Sequence, residues 1–272
     1  MFPSIDPATV GFDVPLFVLM DRAMAAGFKA IEFSIREIAA EISRKGKDGF
    51  LYLLKNHPIS IAQFSCGTGI PSNLAISEDR FKKAFSEWSQ YCHLGKELGI
   101  LQASLLVNPI KGDGYEIGGI SLSKEVLVER LKKLMLPAQN CRIQVVVEIC
   151  DPSLLEYSKE IWERVGSSHL KLLVDTFNLL KLKDPITFLK SLPIESIGWV
   201  HVADALNGIR VLPGMGKIDL SRIFDLCKQK GYQGGVSLEI YENPFFDQLP
   251  LEAKLQAAKQ SFIKSDLGAF FQ

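Results

Sequence analysis

The sequence predicts an α/β fold, a (β/α)8 barrel of the TIM-barrel type, and three observations predict it. Short apolar runs alternate with longer amphipathic ones along the chain, the pattern of repeated βαβ units. Eight such runs can be counted, and several, such as IQVVVEI (Ile143–Ile149), have the unbroken apolar centre that a parallel sheet covered on both faces demands. The length of 272 residues suits one barrel domain over residues 1–272, and no linker, low-complexity stretch or charge block marks a second.

The elements follow in order. A first strand is expected near Ala8–Phe12, then a helix over about Pro15–Ala26 that stops at Gly27. AIEFSI (Ala30–Ile35) reads as the second strand, followed by a helical stretch to about Lys55; Pro58 introduces the third, ISIAQFS (Ile59–Ser65). The loop CGTGIPSN is rich in turn formers. Ser77 is a candidate N-cap, with acidic residues in the first turn of a helix that runs to Leu98 and ends at the C′ glycine Gly99. ILQASLLV (Ile100–Val107) is the fourth strand. The segment between Pro109 and Ser121 holds Gly112, Gly114, Gly118 and Gly119 and reads as an active-site loop. A helix from about Ser123 to Gln139 carries Leu127, Leu131 and Leu134 on one face. Strands five to eight are IQVVVEI, HLKLLVD (His169–Asp175), IGWVHV (Ile197–Val202) and GGVSLEI (Gly234–Ile240). Helices fit at about Ser153–Val165, Pro185–Ser191, Leu220–Lys230 and Leu251–Lys264.

Composition narrows the function. The 31 basic and 31 acidic residues cancel, and no Lys/Arg-rich run stands out, so there is no global attraction to nucleic acid or an anionic membrane. The five cysteines, Cys66, Cys92, Cys141, Cys150 and Cys227, include no C-x-x-C pair and read as reduced thiols. The N-terminus lacks a basic segment followed by an apolar run, and no stretch reaches membrane-spanning length. A soluble, cytoplasmic protein is the expectation.

Four successive strands end an apolar run with a side chain able to bind metal: VVVE (Glu148), LLVD (Asp175), WVH (His201) and VSLE (Glu239). The separations of 27, 26 and 38 residues each fit one βα repeat, and strand C-termini converge in such barrels. Three carboxylates gathered there would repel one another, which a divalent cation relieves. Any one of the four, taken alone, is equally a cap, a loop residue or a core histidine; four on consecutive strands argue for a metal centre. His57, His93 and His169 fall at the bottom or outside, where structural roles are expected.

These residues, with VDTFN (Val174–Asn178), HVAD (His201–Asp204), PGMGKIDL (Pro213–Leu220) and GGVSLEI, resemble the xylose isomerase-like TIM barrel superfamily, the sugar phosphate isomerase/epimerase family. That group includes ketohexose 3-epimerases, inosose isomerases, dehydratases and endonuclease IV. The resemblance implies that Glu148, Asp175, His201 and Glu239 bind one divalent ion, Mn²⁺, Mg²⁺, Co²⁺ or Zn²⁺. It implies that Glu148 and Glu239 also act as the acid/base pair, moving a proton alpha to a carbonyl through a metal-bound enediolate. Where the family frequently has D-x-x-H, this chain has Asn178, which can hydrogen-bond but cannot act as a base. Asn178, Asp204, Arg210 and Lys217 are the candidate substrate-binding residues; for Arg210 and Lys217 a solvated surface position is the equal alternative, and Asp219 reads as a helix N-cap. Gly214 and Gly216 suit a loop that approaches a ligand closely. The Gly67-Thr68-Gly69 turn is a weak phosphate candidate.

The expected function is therefore a metal-dependent isomerase or epimerase of a small sugar, keto-sugar or polyhydroxy compound, with a dehydratase as a close variant. An endonuclease IV-like phosphodiester hydrolase and a non-catalytic sugar-binding barrel are the competing classes; the former uses several metals and more histidines than this chain has. The expected partner is a small carbohydrate-like molecule, with no nucleic acid or membrane, and homo-oligomers are common in the resembled group.

Overall fold

The structure, a computed structural model, describes residues 1–65, 74–108, 120–265 and 267–271. The strands are β1 (Phe2–Ile5), β2 (Ala30–Ser34), β3 (Ser60–Ser65), β4 (Gln102–Val107), β5 (Gln144–Ile149), β6 (Leu170–Asp175), β7 (Ile197–Val202), a short pair β8 (Asp204–Leu206) and β9 (Ile209–Val211), and β10 (Gly235–Leu238). Eight of them close into a parallel barrel in the order β1-β10-β7-β6-β5-β4-β3-β2, while β8 and β9 pair antiparallel outside it. The helices are α1 (Pro7–Val10), α2 (Leu16–Ala25), α3 (Ile35–Lys45), α4 (Lys47–Asn56), α5 (Glu78–Leu98), α6 (Lys124–Cys141), α7 (Pro152–Leu155), α8 (Ser158–Val165), α9 (Pro185–Ser191), α10 (Leu220–Gln229) and α11 (Leu251–Lys264). None among the described residues is long and apolar enough to cross a membrane.

The expected (β/α)8 barrel is present, with local corrections. The first strand is Phe2–Ile5, not Ala8–Phe12. Asp6 ends it and caps α1, accepting the Ala8 N–H at 2.7 Å, and Pro7 at the first helical position favours a helix where a strand was expected. The stretch to Lys55 is two helices, broken at Gly46, whose φ of +75° costs glycine little. Ser77 occupies the N-cap position of α5, but its side chain makes no capping bond. Gly99 ends α5 in the left-handed conformation, as expected. The loop 66–73, with Cys66 and the Gly67-Thr68-Gly69 turn, and the glycine-rich segment 109–119 lie outside the described residues.

Alternation along the strands sorts the core into two parts. Val145, Val147 and Ile149 of β5, with Leu172 and Val174 of β6, face the helices and join the large outer core. Val146, Leu173 and Trp199 face the other way and meet one another, with Phe2 and Ala62, inside the barrel. Phe2 meets Trp199 edge-on at 5.7 Å between ring centroids. Gly235 is required here, since a Cβ would run into the Trp199 indole. Glu148, Asp175 and His201 share the inward parity two residues further along each strand, so the apolar plug becomes the floor of a polar chamber.

Candidate metal centre

β5, β6, β7 and β10 are neighbours in the barrel, which sets the heights of the four side chains. Asp175 is level with His201 across β6 and β7, and Ser237 is level with His201 across β10 and β7. Glu239 lies one residue beyond β10, its backbone held by an N–H bond to the Val202 carbonyl at 3.1 Å. His201 Nδ1 is 3.4 Å from Glu239 Oε1 and 3.9 Å from Glu148 Oε2. Glu148, His201 and Glu239 each offer a donor atom, all within 4.8 Å of one another.

Asp175 joins this group through Arg210. The Arg210 Nη2 donates to Asp175 Oδ2 at 2.6 Å and to Glu239 Oε2 at 3.3 Å. The other Asp175 oxygen accepts the Phe177 N–H at 2.8 Å. The buried guanidinium is sandwiched between the rings of Phe177 and Tyr241, at 4.4 and 4.2 Å. Such stacking suits a planar, weakly hydrated cation in a site closed to water. Arg210 is buried rather than solvated, whereas Lys217 is exposed.

Asn178 holds Glu148. Its Nδ2 donates to Glu148 Oε1 at 2.6 Å, and its Oδ1 accepts from Lys181 Nζ at 2.6 Å, which fixes the amide's orientation. Lys181 Nζ also reaches the Cys150 carbonyl at 2.9 Å. The Cys150 thiol adds a 3.3 Å contact to the same Glu148 oxygen. Oε1 is thus taken, and Oε2 is the oxygen that faces the chamber.

Asp204 binds the backbone of the loop that follows it. Its two oxygens accept backbone N–H bonds from Ala205, Gly214, Gly216 and Ile218 at 2.8 to 3.1 Å. It gathers the PGMGK loop, and Gly216 is needed because a Cβ there would strike Asp204 and the Ala205 backbone. Gly216 thus gives the loop a close approach to Asp204. Asp219 caps α10, accepting the Arg222 N–H at 3.1 Å.

The charges drive the two glutamates apart. Burial, with Glu239 and Asp175 nearby, pushes the Glu148 pKa up to about 8. Burial also opposes ionisation of Glu239, but His201 and Arg210 outweigh it and bring that group to about 2. Burial disfavours the charged form of His201, yet Glu32 and Glu239 hold its pKa well above the ordinary value. Asp6 is raised well above the usual carboxylate range by burial and by Glu32 and Glu239.

Sequence reasoning missed the residues under the chamber. Glu32 of β2 accepts from Trp199 Nε1 at 2.7 Å, Gln63 Nε2 at 2.5 Å and His201 Nε2 at 3.1 Å. The signal was present: AIEFS and IAQFS each carry one polar residue in a strand that is otherwise buried. The other histidines take the structural partners expected of them. His57 meets Asp21 at 3.1 Å, His93 the Ser89 carbonyl at 2.7 Å and His169 the Ile143 carbonyl at 2.9 Å.

The chemistry of this donor set fits a divalent cation. His201 Nδ1 is buried and has no hydrogen-bond partner among the described residues. It is aimed at two carboxylate oxygens, and an imidazole with carboxylates is a usual donor set for Zn²⁺ or Mn²⁺.

Comparisons with known proteins agree with the architecture. Over 154 residues the chain is 28% identical to an inosose isomerase of Halalkalibacterium halodurans, covering 52% of this chain and 54% of that protein. Over 260 residues it is 27% identical to a 3-dehydroshikimate dehydratase of Pseudomonas putida, covering 88% of this chain and 38% of that protein. The chain thus spans about half or less of the length of these relatives. Among solved structures, the IOLI protein with a zinc atom superposes over 100% of both chains, with a TM-score of 0.84 at 20% identity. A D-psicose 3-epimerase with D-tagatose, from Clostridium cellulolyticum H10, matches with a TM-score of 0.78 at 15% identity, over 98% of this chain and 99% of that one. The description of the xylose isomerase-like TIM barrel matches residues 20–265, nearly the whole barrel, and the chain belongs to that family.

Proposed function

We propose that the protein is a divalent-metal-dependent isomerase or epimerase of a small sugar, keto-sugar or polyhydroxy compound. The observation that carries this reading is the convergence of Glu148 and Glu239 on the buried His201 Nδ1, which makes no hydrogen bond among the described residues, at the mouth end of the barrel. Glu148, His201 and Glu239, with Asp175 beside them, would hold the cation, which when bound polarises a substrate carbonyl as a Lewis acid. The zinc in the similarly folded IOLI protein supports the same site chemistry.

The chain's own residues supply the proton transfer. Glu148, with Oε1 occupied by Asn178, presents Oε2 toward the carbon alpha to the carbonyl. Glu239 faces it across His201; one of the pair removes the alpha proton and the other returns a proton, at the opposite face in an epimerisation or at the neighbouring carbon in an isomerisation. Two carboxylates tuned in opposite directions suit such an exchange of acid and base roles. Arg210, held against Phe177 and Tyr241 and paired with Asp175 and Glu239, places a cation beside these carboxylates. The chamber is closed below by Trp199, Phe2 and Val146, so substrate would enter from the strand C-termini.

A second reading, dehydration of a keto-polyol, is favoured by the dehydratase relative that covers most of this chain. It shares the first proton removal and then expels a hydroxyl from the next carbon. The test is incubation of the Mn²⁺- or Zn²⁺-supplied protein in D₂O with an inosose, D-psicose, D-tagatose, D-fructose and 3-dehydroshikimate, followed by NMR. The proposal expects metal-dependent conversion of at least one keto compound, with deuterium at the alpha carbon. Loss of water selects the second reading. Isomerisation without solvent exchange removes the glutamate relay from both.

A further inference from the structure

We propose that Glu32 is a positioning residue for the metal centre: it accepts the Nε2–H of His201 and thereby turns the Nδ1 lone pair toward Glu148 and Glu239. This rests on the metal reading above and names a residue outside its four strands.

Trp199, Gln63 and His201 hydrogen-bond to the Glu32 carboxylate. An indole N–H can only donate, so Trp199 Nε1 at 2.7 Å fixes Glu32 Oε1 as an acceptor. Gln63 is oriented by its own neighbour: Gln102 Nε2 donates to Gln63 Oε1 at 2.8 Å, leaving the Gln63 NH₂ to point at Glu32 Oε2. The nitrogen of His201 that meets this carboxylate, Nε2 at 3.1 Å, must then carry hydrogen. A metal binds the neutral imidazole, in which the nitrogen opposite the N–H is the acceptor. That nitrogen is Nδ1, the buried atom without a hydrogen-bond partner among the described residues.

The same donors bear on a second arrangement, in which Asp6, Glu32 and His201 offer three ligand atoms close together. A cation there would meet the indole and amide N–H groups that already occupy both Glu32 oxygens, and it would need the His201 nitrogen that donates to Glu32. The lower group is therefore built to hold an imidazole N–H, and the upper one to hold a metal. Ligating histidines commonly donate their other N–H to a carboxylate, which fixes the tautomer and raises ligand basicity. Glu32 comes from β2, across the barrel from β7. Barrel closure itself thus orients the ligand.

The experiment uses the metal-stripped protein, titrated with Zn²⁺ against a chromophoric chelator, together with ¹⁵N NMR of the four histidine rings, in which His201→Ala assigns the ring in question. Wild type is expected to bind one equivalent of Zn²⁺, with His201 protonated at Nε2 and coordinated through Nδ1. Glu32→Gln and Glu32→Leu should bind roughly 10- to 100-fold more weakly, the leucine more so. Gln63→Leu breaks the same buried network without touching the Glu32–His201 contact, and should stay within about threefold of wild type. Glu32 variants that bind like wild type, or a ring coordinated through Nε2, overturn the proposal while leaving the metal reading intact. Wild type that binds no Zn²⁺ overturns the metal reading and this proposal with it. If Glu32→Leu does not fold, the isosteric Glu32→Gln and the wild-type spectrum still decide.

Discussion

Glu148 and Glu239 share one chamber, yet their surroundings assign them opposite protonation states. The raised group has a consequence for stability in metal-stripped protein. With its folded pKa at about 8 and an ordinary value of 4.5, Glu148 keeps a proton that the unfolded chain releases. The fold therefore loses stability as pH rises from about 4.5 to about 8. Glu148→Gln should flatten that slope and stabilise the stripped protein at pH 8 by on the order of 2 kcal/mol, read from urea unfolding at pH 5 and pH 8; equal slopes would contradict it. Under turnover, Glu148→Gln or Glu239→Gln should abolish activity while part of the metal affinity survives, because an amide oxygen still ligates. Arg210→Met leaves the Asp175 carboxylate buried without its cation and should cost about 3 kcal/mol, recovered in part by adding Asp175→Asn. The four chamber residues were legible because each is a lone polar group closing an apolar strand. Glu32 and Gln63 announce themselves in the same way, but in mid-strand, where a polar residue matters only once barrel closure brings Trp199 and His201 beside it.

At the level of elements, the β8–β9 hairpin does most to shape the site, since it carries Arg210. Sequence reading passed over it, although A-L-N-G-I-R contains a strong short hairpin signal: Asn207 and Gly208 both take positive φ, 51° and 79°. Three-residue strands are too short to show alternation, so only the turn could have revealed them. Asp204, at the start of the hairpin, ties its base to the PGMGK loop. Asp204→Ala should leave up to four backbone N–H groups without their acceptor and lower stability by about 2 kcal/mol. It should also loosen Arg210, so substrate KM should rise in the same variant; a stability loss with unchanged KM would separate the loop from the site. The first strand was misplaced for a related reason. Phe2–Ile5 has only four residues, and its identity comes from pairing with β10 on one side and β2 on the other. The helix beyond it is legible from Asp6-Pro7, a cap followed by a residue preset for a first turn.

For the whole molecule, closure of the barrel turns scattered residues into one chamber. β10 sits between β1 and β7, so Glu239 meets His201 from one side while Glu148 and Asp175 meet it from the other. The alternating pattern of strands and helices predicted this architecture because parallel strands buried on both faces leave a strong apolar signature. Which polar groups pair inside it was not legible, because those pairs join residues as far apart as Glu32 and His201. The central claim is that Glu148, His201 and Glu239 hold one divalent ion. It is tested most directly by anomalous diffraction from crystals grown with Mn²⁺ or Zn²⁺. The account predicts one anomalous peak at about 2.0–2.3 Å from His201 Nδ1 and from oxygens of Glu148 and Glu239. A chamber without a peak at saturating metal, or a peak coordinated by other residues alone, would contradict it.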